Sequence, residues 1–261
     1  RRGMRVLFVT SNRIGDTVLS TGILNHIIRH HPDTRITLAC GPAPARLFDE
    51  TPNIKRLIIL EKEPRAGHLR KLWRAVVGQR WDLVVDLRAS ALAYLVWARR
   101  RRVYRPVDDG VPRVVQLSQF FGLEEVAPPG LWFGEKQVTA ARKMVPPSPV
   151  LGIGPTANWG GKQWAARKFA ELVARLTGPG SVLEDAYIAV FGAQRDRPAA
   201  MPLLERIPKA RRIDLVGKFD ILTAAACLQE CNLYIGNDSG LMHLAAAIYT
   251  PTLGLFGPSR D

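Results

Sequence analysis

Asp238, Ser239 and His243 stand on one short turn between two apolar runs, and there the chain's chemistry is densest. The turn reads Asn237-Asp238-Ser239-Gly240-Leu241-Met242-His243, after a strand-like run at 233–236 and before a helix-like run at 244–248. A strand that breaks there and restarts as a helix leaves backbone N–H groups unpaired above the sheet. The positive helix end suits a phosphate or a polar sugar. Ser239 is placed to cap the helix, and Gly240 admits close approach of a ligand to the backbone. The same residues also describe an ordinary capped helix. Asp238 and His243 on one turn favour a site.

A second loop, Pro155-Thr156-Ala157-Asn158-Trp159-Gly160-Gly161-Lys162-Gln163-Trp164, begins where a strand-like run ends. Thr156 can donate to a phosphate oxygen, Lys162 can neutralise one, and the glycines permit close approach. It is not a P-loop: Gly154 lies too far from Gly161-Lys162, and Gln163 stands where Ser or Thr belongs. Nor is it a dinucleotide fingerprint, because Ala157 replaces the third glycine. A third loop, Ser11-Asn12-Arg13-Ile14-Gly15-Asp16-Thr17, follows the first strand-like run. Asp16 there serves either as a helix cap or as a general base that takes a proton from an acceptor hydroxyl. Gly192-Ala193-Gln194-Arg195-Asp196 reads as a polar loop that could border the same ligand as Lys162. There is no Asp-x-Asp pair, and His26, His30, His31, His68 and His243 lack metal-ligand spacing, so no metal is expected. His30 and His31 suit the negative end of a helix.

Alternating strand-like and helix-like runs must position these loops. In the first half, strands are predicted at 5–10, 35–40, 56–60 and 83–87. Helices are predicted at 17–29, 45–51, 69–77, 90–99 and 114–121. A breaker-rich stretch ends in Pro146-Pro147-Ser148-Pro149, and the pattern then restarts. Strands follow at 150–154, 187–191, 213–216, 233–236 and 252–256, with helices at 166–176, 199–207, 222–229 and 244–248. This alternation predicts an α/β fold of two Rossmann-like domains, 1–145 and 146–261, facing across a cleft. Arg1-Arg2-Gly3 before Met4 reads as an upstream extension, and the stop just after the last strand suggests that the native chain continues.

The chain has 261 residues, 47% hydrophobic and 23% charged, a globular composition with no apolar run long enough to span a bilayer. No secretory signal is visible, and Cys40, Cys227 and Cys231 fit reduced thiols in a cytosolic protein. The net charge of +14 is uneven: residues 1–145 hold 25 Lys and Arg against 13 acidic residues, and residues 146–261 hold 12 against 10. The first half therefore prefers an anionic partner: nucleic acid, an acidic membrane surface or a phosphorylated substrate. Its densest clusters are Arg99-Arg100-Arg101-Arg102 with Arg105, and Arg65, Arg70, Lys71 and Arg74.

The three loops, in this order on two α/β units, resemble glycosyltransferase family 9, the lipopolysaccharide heptosyltransferases. The resemblance rests on Arg13-Ile14-Gly15-Asp16-Thr17, Asp86-Leu87-Arg88, Gly161-Lys162-Gln163-Trp164, and Asp238 to His243 leading to Phe256-Gly257-Pro258-Ser259. It implies a GT-B fold and a metal-independent, inverting transfer of heptose from an ADP-sugar, with no cofactor beyond that co-substrate. Asp16 then matches the catalytic base. Thr156 and Lys162 match donor-phosphate contacts, and Asp238, Ser239, Gly240 and His243 match the donor loop. Arg13 and Arg88 fall where an acceptor would bind. The implied partner is a phosphorylated lipid A–core acceptor. The implied location is cytoplasmic and peripheral at the inner face of the inner membrane, against anionic lipid. The resemblance also implies a second domain that is incomplete at residue 261.

Rival readings are another nucleotide sugar on the same fold, a relative that binds without transfer, a nucleic-acid-binding protein and a Rossmann oxidoreductase. The arginines are not interleaved with stacking aromatics and the glycine fingerprint is missing, which counts against the last two.

Overall fold

A computed structural model describes residues 3–61, 67–105 and 110–257. Arg65, Arg1-Arg2 and Pro258-Ser259, which figure in the sequence expectations, lie outside the described residues. The chain divides into two compact units, Arg1–Trp132 and Phe133–Asp261.

The first unit runs β1 (Arg5–Val9), α1 (Ile14–His30), β2 (Arg35–Cys40), β3 (Ile54–Ile59), α2 (Gly67–Val76), β4 (Arg80–Asp86), β5 (Trp97–Val103) and α3 (Arg113–Phe121). Its strands form one parallel sheet in the order β3-β2-β1-β4-β5. Strands covered on both faces need continuous apolar runs, and Val6 to Val9 of β1 are fully buried. The chain leaves β1 toward β2 on one side and reaches β4 on the other. Open α/β sheets place their ligands beyond the strand ends at such a reversal. In register, Val9 lies opposite Asp86, so the β1 and β4 loops emerge side by side.

The second unit contains α4 (Glu135–Met144), β6 (Val150–Gly154), α5 (Ala166–Thr177), β7 (Tyr187–Val190), α6 (Arg197–Leu204), β8 (Arg212–Asp214), α7 (Ile221–Gln229), β9 (Leu233–Asn237), α8 (Gly240–Ala247) and β10 (Thr252–Leu255). Its parallel sheet has the order β10-β9-β6-β7-β8, the same winding as the first. The reversal falls between β6 and β9, where Gly154 lies opposite Gly236. Phe169, Val173, Leu203 and Ile207 cover one face of this sheet with Leu151, Ile153, Ile188 and Ile235. The α/β class with two Rossmann-like domains expected from sequence is the one observed.

Three expectations need correction. The helix expected at 90–99 is a single 3-10 turn, Ala91–Tyr94, followed by β5. The buried Asp86 carboxylate accepts the Arg88 and Ser90 N–H groups at 2.8 and 3.0 Å and the Ser90 hydroxyl at 2.5 Å, which bends the chain directly after β4. Arg101 then donates to the carbonyls of Ala93, Val96 and Ala98, and residues 97–103 pair with β4. Long-range pairing overrides the local helical pattern of the apolar run before it. The helix expected at 45–51 is likewise one 3-10 turn, Ala45–Phe48. The division between units falls at 132/133, ahead of the expected 145/146, because α4 packs on α7 of the second unit.

All three cysteines are free and buried. Burial pushes the Cys40 and Cys227 thiols up to about 12, with the charge of Glu230 adding to the rise at Cys227. Among the described residues, no helix is long and apolar enough to cross a membrane.

Candidate active site

The chain reversal of the first sheet holds a pocket of about 240 Å³ lined by Thr10, Ser11, Asp16, Arg88, Arg113 and Leu117, among others. Asp16 lies in the first turn of α1, but the helix is not capped by it: Arg13 occupies the N-cap position without a side-chain bond. The half-buried Asp16 carboxylate accepts one long hydrogen bond, 3.5 Å, from the Ser11 hydroxyl. That hydroxyl accepts the Arg13 N–H at 3.1 Å, and the Thr17 hydroxyl donates to the Ser11 carbonyl at 3.1 Å. The loop is therefore braced by its own side chains while the carboxylate keeps acceptor capacity for a ligand.

Arg88 enters the same pocket from the end of β4. Asp86 fixes its backbone, yet its Nη1 is buried and has no hydrogen-bond partner. A buried guanidinium donor without an acceptor is costly, and an anionic ligand would satisfy it. Arg113, at the first turn of α3, supplies a second cation. Its Nη1 donates to the Tyr104 hydroxyl at 2.8 Å and its guanidinium lies 4.3 Å from the Tyr104 ring centre. Tyr104 in turn donates to Gln116 Oε1 at 2.6 Å. Burial raises the Tyr104 phenol above its ordinary value; the Arg113 charge opposes this and the Asp16 charge adds to it. The proton therefore stays on Tyr104. Arg13 is exposed and does not line it.

At the reversal of the second sheet, Lys162 Nζ is ion-paired with Asp238 Oδ2. Asp238 Oδ1 lies 4.0 Å from His243 Nε2. The β9 residue Asn237, fully buried, ties the two loops together. Its amide donates to the Pro155 carbonyl at 2.8 Å, and its oxygen accepts the Trp164 N–H at 3.1 Å. Lys162 itself sits on a 3-10 turn, Gly160–Lys162, and Gly257 packs against Gly161 and Lys162. Thr156 is buried at the base of this loop. Arg195 of the 192–196 loop donates to the Asn158 side chain at 3.5 Å.

Ser239 occupies the N-cap position of α8, but the expected side-chain cap is not made. Its buried Oγ faces the buried Tyr234 hydroxyl, and neither of the two reaches any other hydrogen-bond partner. The Tyr234 hydroxyl fills the space where Gly154 and Gly236 would carry a Cβ, so those paired positions admit only glycine. Burial raises the Tyr234 phenol far above its ordinary value. Facing hydroxyls that satisfy only each other at a helix N-terminus leave polar capacity there for a ligand. Among the described residues, no group of three His, Cys, Asp or Glu is arranged to hold a metal ion.

The structure thus gathers Asp16 with Arg88 in one unit. In the other it gathers Lys162, Asp238 and His243, with Ser239 and Gly240 at the adjoining start of α8. Sequence reasoning missed Arg113, Tyr104 and Tyr234. A signal for Tyr234 existed in the glycines that end β6 and β9; Arg113 carried only its place after Pro112 at a helix start.

A lipooligosaccharide heptosyltransferase 2 of Haemophilus influenzae is 27% identical over 194 residues, covering 73% of this chain and 54% of the relative. This match therefore spans about half of that relative's length. Lipopolysaccharide heptosyltransferase 2 of Escherichia coli is 25% identical over 297 residues, covering 98% of this chain and 83% of its own. The solved structure of the E. coli ADP-heptose LPS heptosyltransferase II has the same fold, with a TM-score of 0.78 at 21% identity, over 98% of this chain and 86% of that one. The family model for glycosyltransferase family 9 (heptosyltransferase) matches residues 87–261, from the Arg88 turn through the whole second unit. The chain belongs to that family and is a glycosyltransferase.

Proposed function

We propose that this chain transfers heptose from ADP-heptose to a phosphorylated lipopolysaccharide core acceptor, with inversion at the anomeric carbon and without a metal ion. The observation that carries the reading is the cluster at the second reversal: Lys162, Asp238 and His243 around the start of α8, beside the buried Ser239 hydroxyl. A diphosphate fits this chemistry. Phosphate oxygens can take Lys162 from Asp238 by replacing one charge-assisted bond with another. The N–H groups at the start of α8 add partial positive charge. Asp238, released from Lys162, is an acceptor for a sugar hydroxyl, and Thr156 at the base of the loop offers its hydroxyl to a phosphate oxygen.

In the first unit, Arg88 and Arg113 bind the anionic acceptor and Asp16 is the base. Asp16 removes the proton from the acceptor hydroxyl as its oxygen attacks the anomeric carbon. The bond from that carbon to the diphosphate oxygen breaks, and ADP departs carrying the negative charge that Lys162 and α8 meet. Inversion follows from a single displacement. Charge stabilisation aimed at the leaving group is usually the largest catalytic contribution, and the base adds roughly 10²–10⁴-fold. Such an enzyme would work in the cytoplasm at the inner face of the inner membrane, where lipid-anchored acceptors are made. The relatives named above as lipopolysaccharide and lipooligosaccharide heptosyltransferases support this assignment of sugar and acceptor.

Incubation of the chain with ADP-heptose and a heptose-deficient core glycolipid, read by mass spectrometry and ADP release in the presence of EDTA, tests the reading. One added heptose per acceptor with chelator present is expected. No addition, while another nucleotide sugar is consumed, would transfer the assignment to that sugar.

A further inference from the structure

The first unit exposes large apolar side chains away from its pocket. Tyr94, Leu95 and Trp97 are 59%, 61% and 65% exposed, and Trp73 of α2 is 39% exposed. They are joined: the Trp73 indole N–H donates to the Leu95 carbonyl at 3.1 Å, so the α2 tryptophan lies beside the 91–95 turn. Trp97 is the register partner of Arg80, whose guanidinium lies 4.3 Å from the Trp97 ring centre. Arg99 and Arg100 follow on β5 and are exposed. Charges on an edge strand are a familiar guard against strand pairing, and β5 is an edge. That guard accounts for the arginines but not for the exposed leucine, tyrosine and two tryptophans next to them.

We infer that this edge of the first unit, Trp73, Tyr94, Leu95 and Trp97 with Arg80, Arg99 and Arg100, docks the enzyme on an anionic lipid bilayer. Tryptophan and tyrosine settle at the headgroup level of a bilayer, and arginines beside them attract anionic headgroups. Arg101 does not take part, because its guanidinium is spent on the carbonyls of Ala93, Val96 and Ala98. Instead it stiffens the segment that presents Tyr94, Leu95 and Trp97. The uneven charge of the chain, concentrated before residue 146, supplies longer-range attraction. The inference rests on the proposed lipid-anchored acceptor for its purpose, though not for its geometry.

The test is co-sedimentation of the full chain with phosphatidylethanolamine vesicles, with and without phosphatidylglycerol, for wild type and two double variants. Leu95→Ser/Trp97→Ser removes exposed apolar groups and is expected to weaken binding about tenfold. Arg99→Gln/Arg100→Gln is expected to lower partition about fivefold per charge, with wild-type binding falling as salt rises. Both variants should keep the wild-type melting temperature and transfer heptose normally to a lipid-free core oligosaccharide. Equal binding by both variants and wild type, equal binding to vesicles lacking phosphatidylglycerol, or loss of a dimer rather than of vesicle binding would overturn the inference. Variant-sensitive vesicle binding without any sugar transfer would refute the proposed activity and leave this face standing. Transfer to a lipid-anchored acceptor with vesicle binding unchanged in both variants would do the reverse.

Discussion

The two units wind their sheets identically and place loops at the same reversal, yet the chemistry there is opposite in kind. The first reversal presents a carboxylate and two guanidinium groups in a polar pocket. The second presents an internally neutralised Lys162–Asp238 pair, glycine-flanked loops and the start of α8. Topology therefore fixes where a ligand can sit, and the loop residues decide which ligand it is. A pocket with unspent cationic donors suits an anionic acceptor. A cluster whose cation is already paired suits a ligand that must be released after its bond is broken.

Substitutions at the two reversals should fail in different ways. The largest effect is expected from Asp16→Asn, which should lower kcat by about 10²–10⁴-fold while leaving ADP affinity unchanged. Steady-state transfer rates with parallel ADP titration read both quantities, and wild-type turnover would remove Asp16 from the mechanism. Lys162→Ala should weaken ADP binding roughly 10–100-fold, the range of a lost charge-assisted hydrogen bond, and leave acceptor KM alone. Calorimetric titration decides this, and an unchanged dissociation constant would make the lysine purely structural. Arg88→Gln should raise acceptor KM about tenfold with ADP affinity unaltered, since the Nη1 donor has no partner within the protein.

A smaller effect is expected from Tyr234→Phe. Removing a buried hydroxyl whose polar neighbour is the Ser239 hydroxyl should change the melting temperature of the free protein only slightly. It should reduce the added stability conferred by ADP-heptose if that hydroxyl helps floor the donor site. The smallest is an acid response confined to the second unit. Burial alone would raise the Asp214 carboxyl. The hydrogen bonds from Arg197 and the Val216 N–H, with the charges of Lys218 and Arg197, hold it below its ordinary value. A depressed carboxyl stabilises the fold above its unfolded pKa of about 3.9, and that contribution is lost as pH falls through the folded value. Asp214→Asn should therefore flatten the acid limb of the stability curve below about pH 4 in chemical denaturation.

Much of this contrast could be read in the sequence, because breaker residues between apolar runs mark strand ends. The strand at 150–154 was legible to the residue, and the Asp16, Lys162 and Asp238 loops fall where that reading puts them. What escaped depends on residues distant in the chain. The run Ala91 to Leu95 looks helical by itself, and only pairing with β4 turns 97–103 into a strand. Arg113 enters the pocket because α3 packs on α1, which no local pattern encodes. The Lys162–Asp238 pair joins residues 76 positions apart, so a lysine read as a waiting phosphate contact is already occupied. Tyr234 was hidden for a simpler reason: an aromatic residue in a buried strand reads as core, and its hydroxyl carries meaning only once Gly154 and Gly236 are seen around it.

Amide hydrogen exchange of the full chain, with and without ADP, tests the division of labour most directly. Protection should appear in residues 155–164 and 237–247, with none in 10–17, 87–90 or 113–117. Protection centred on the Asp16 and Arg88 loops instead would place the nucleotide on the first unit and contradict the account.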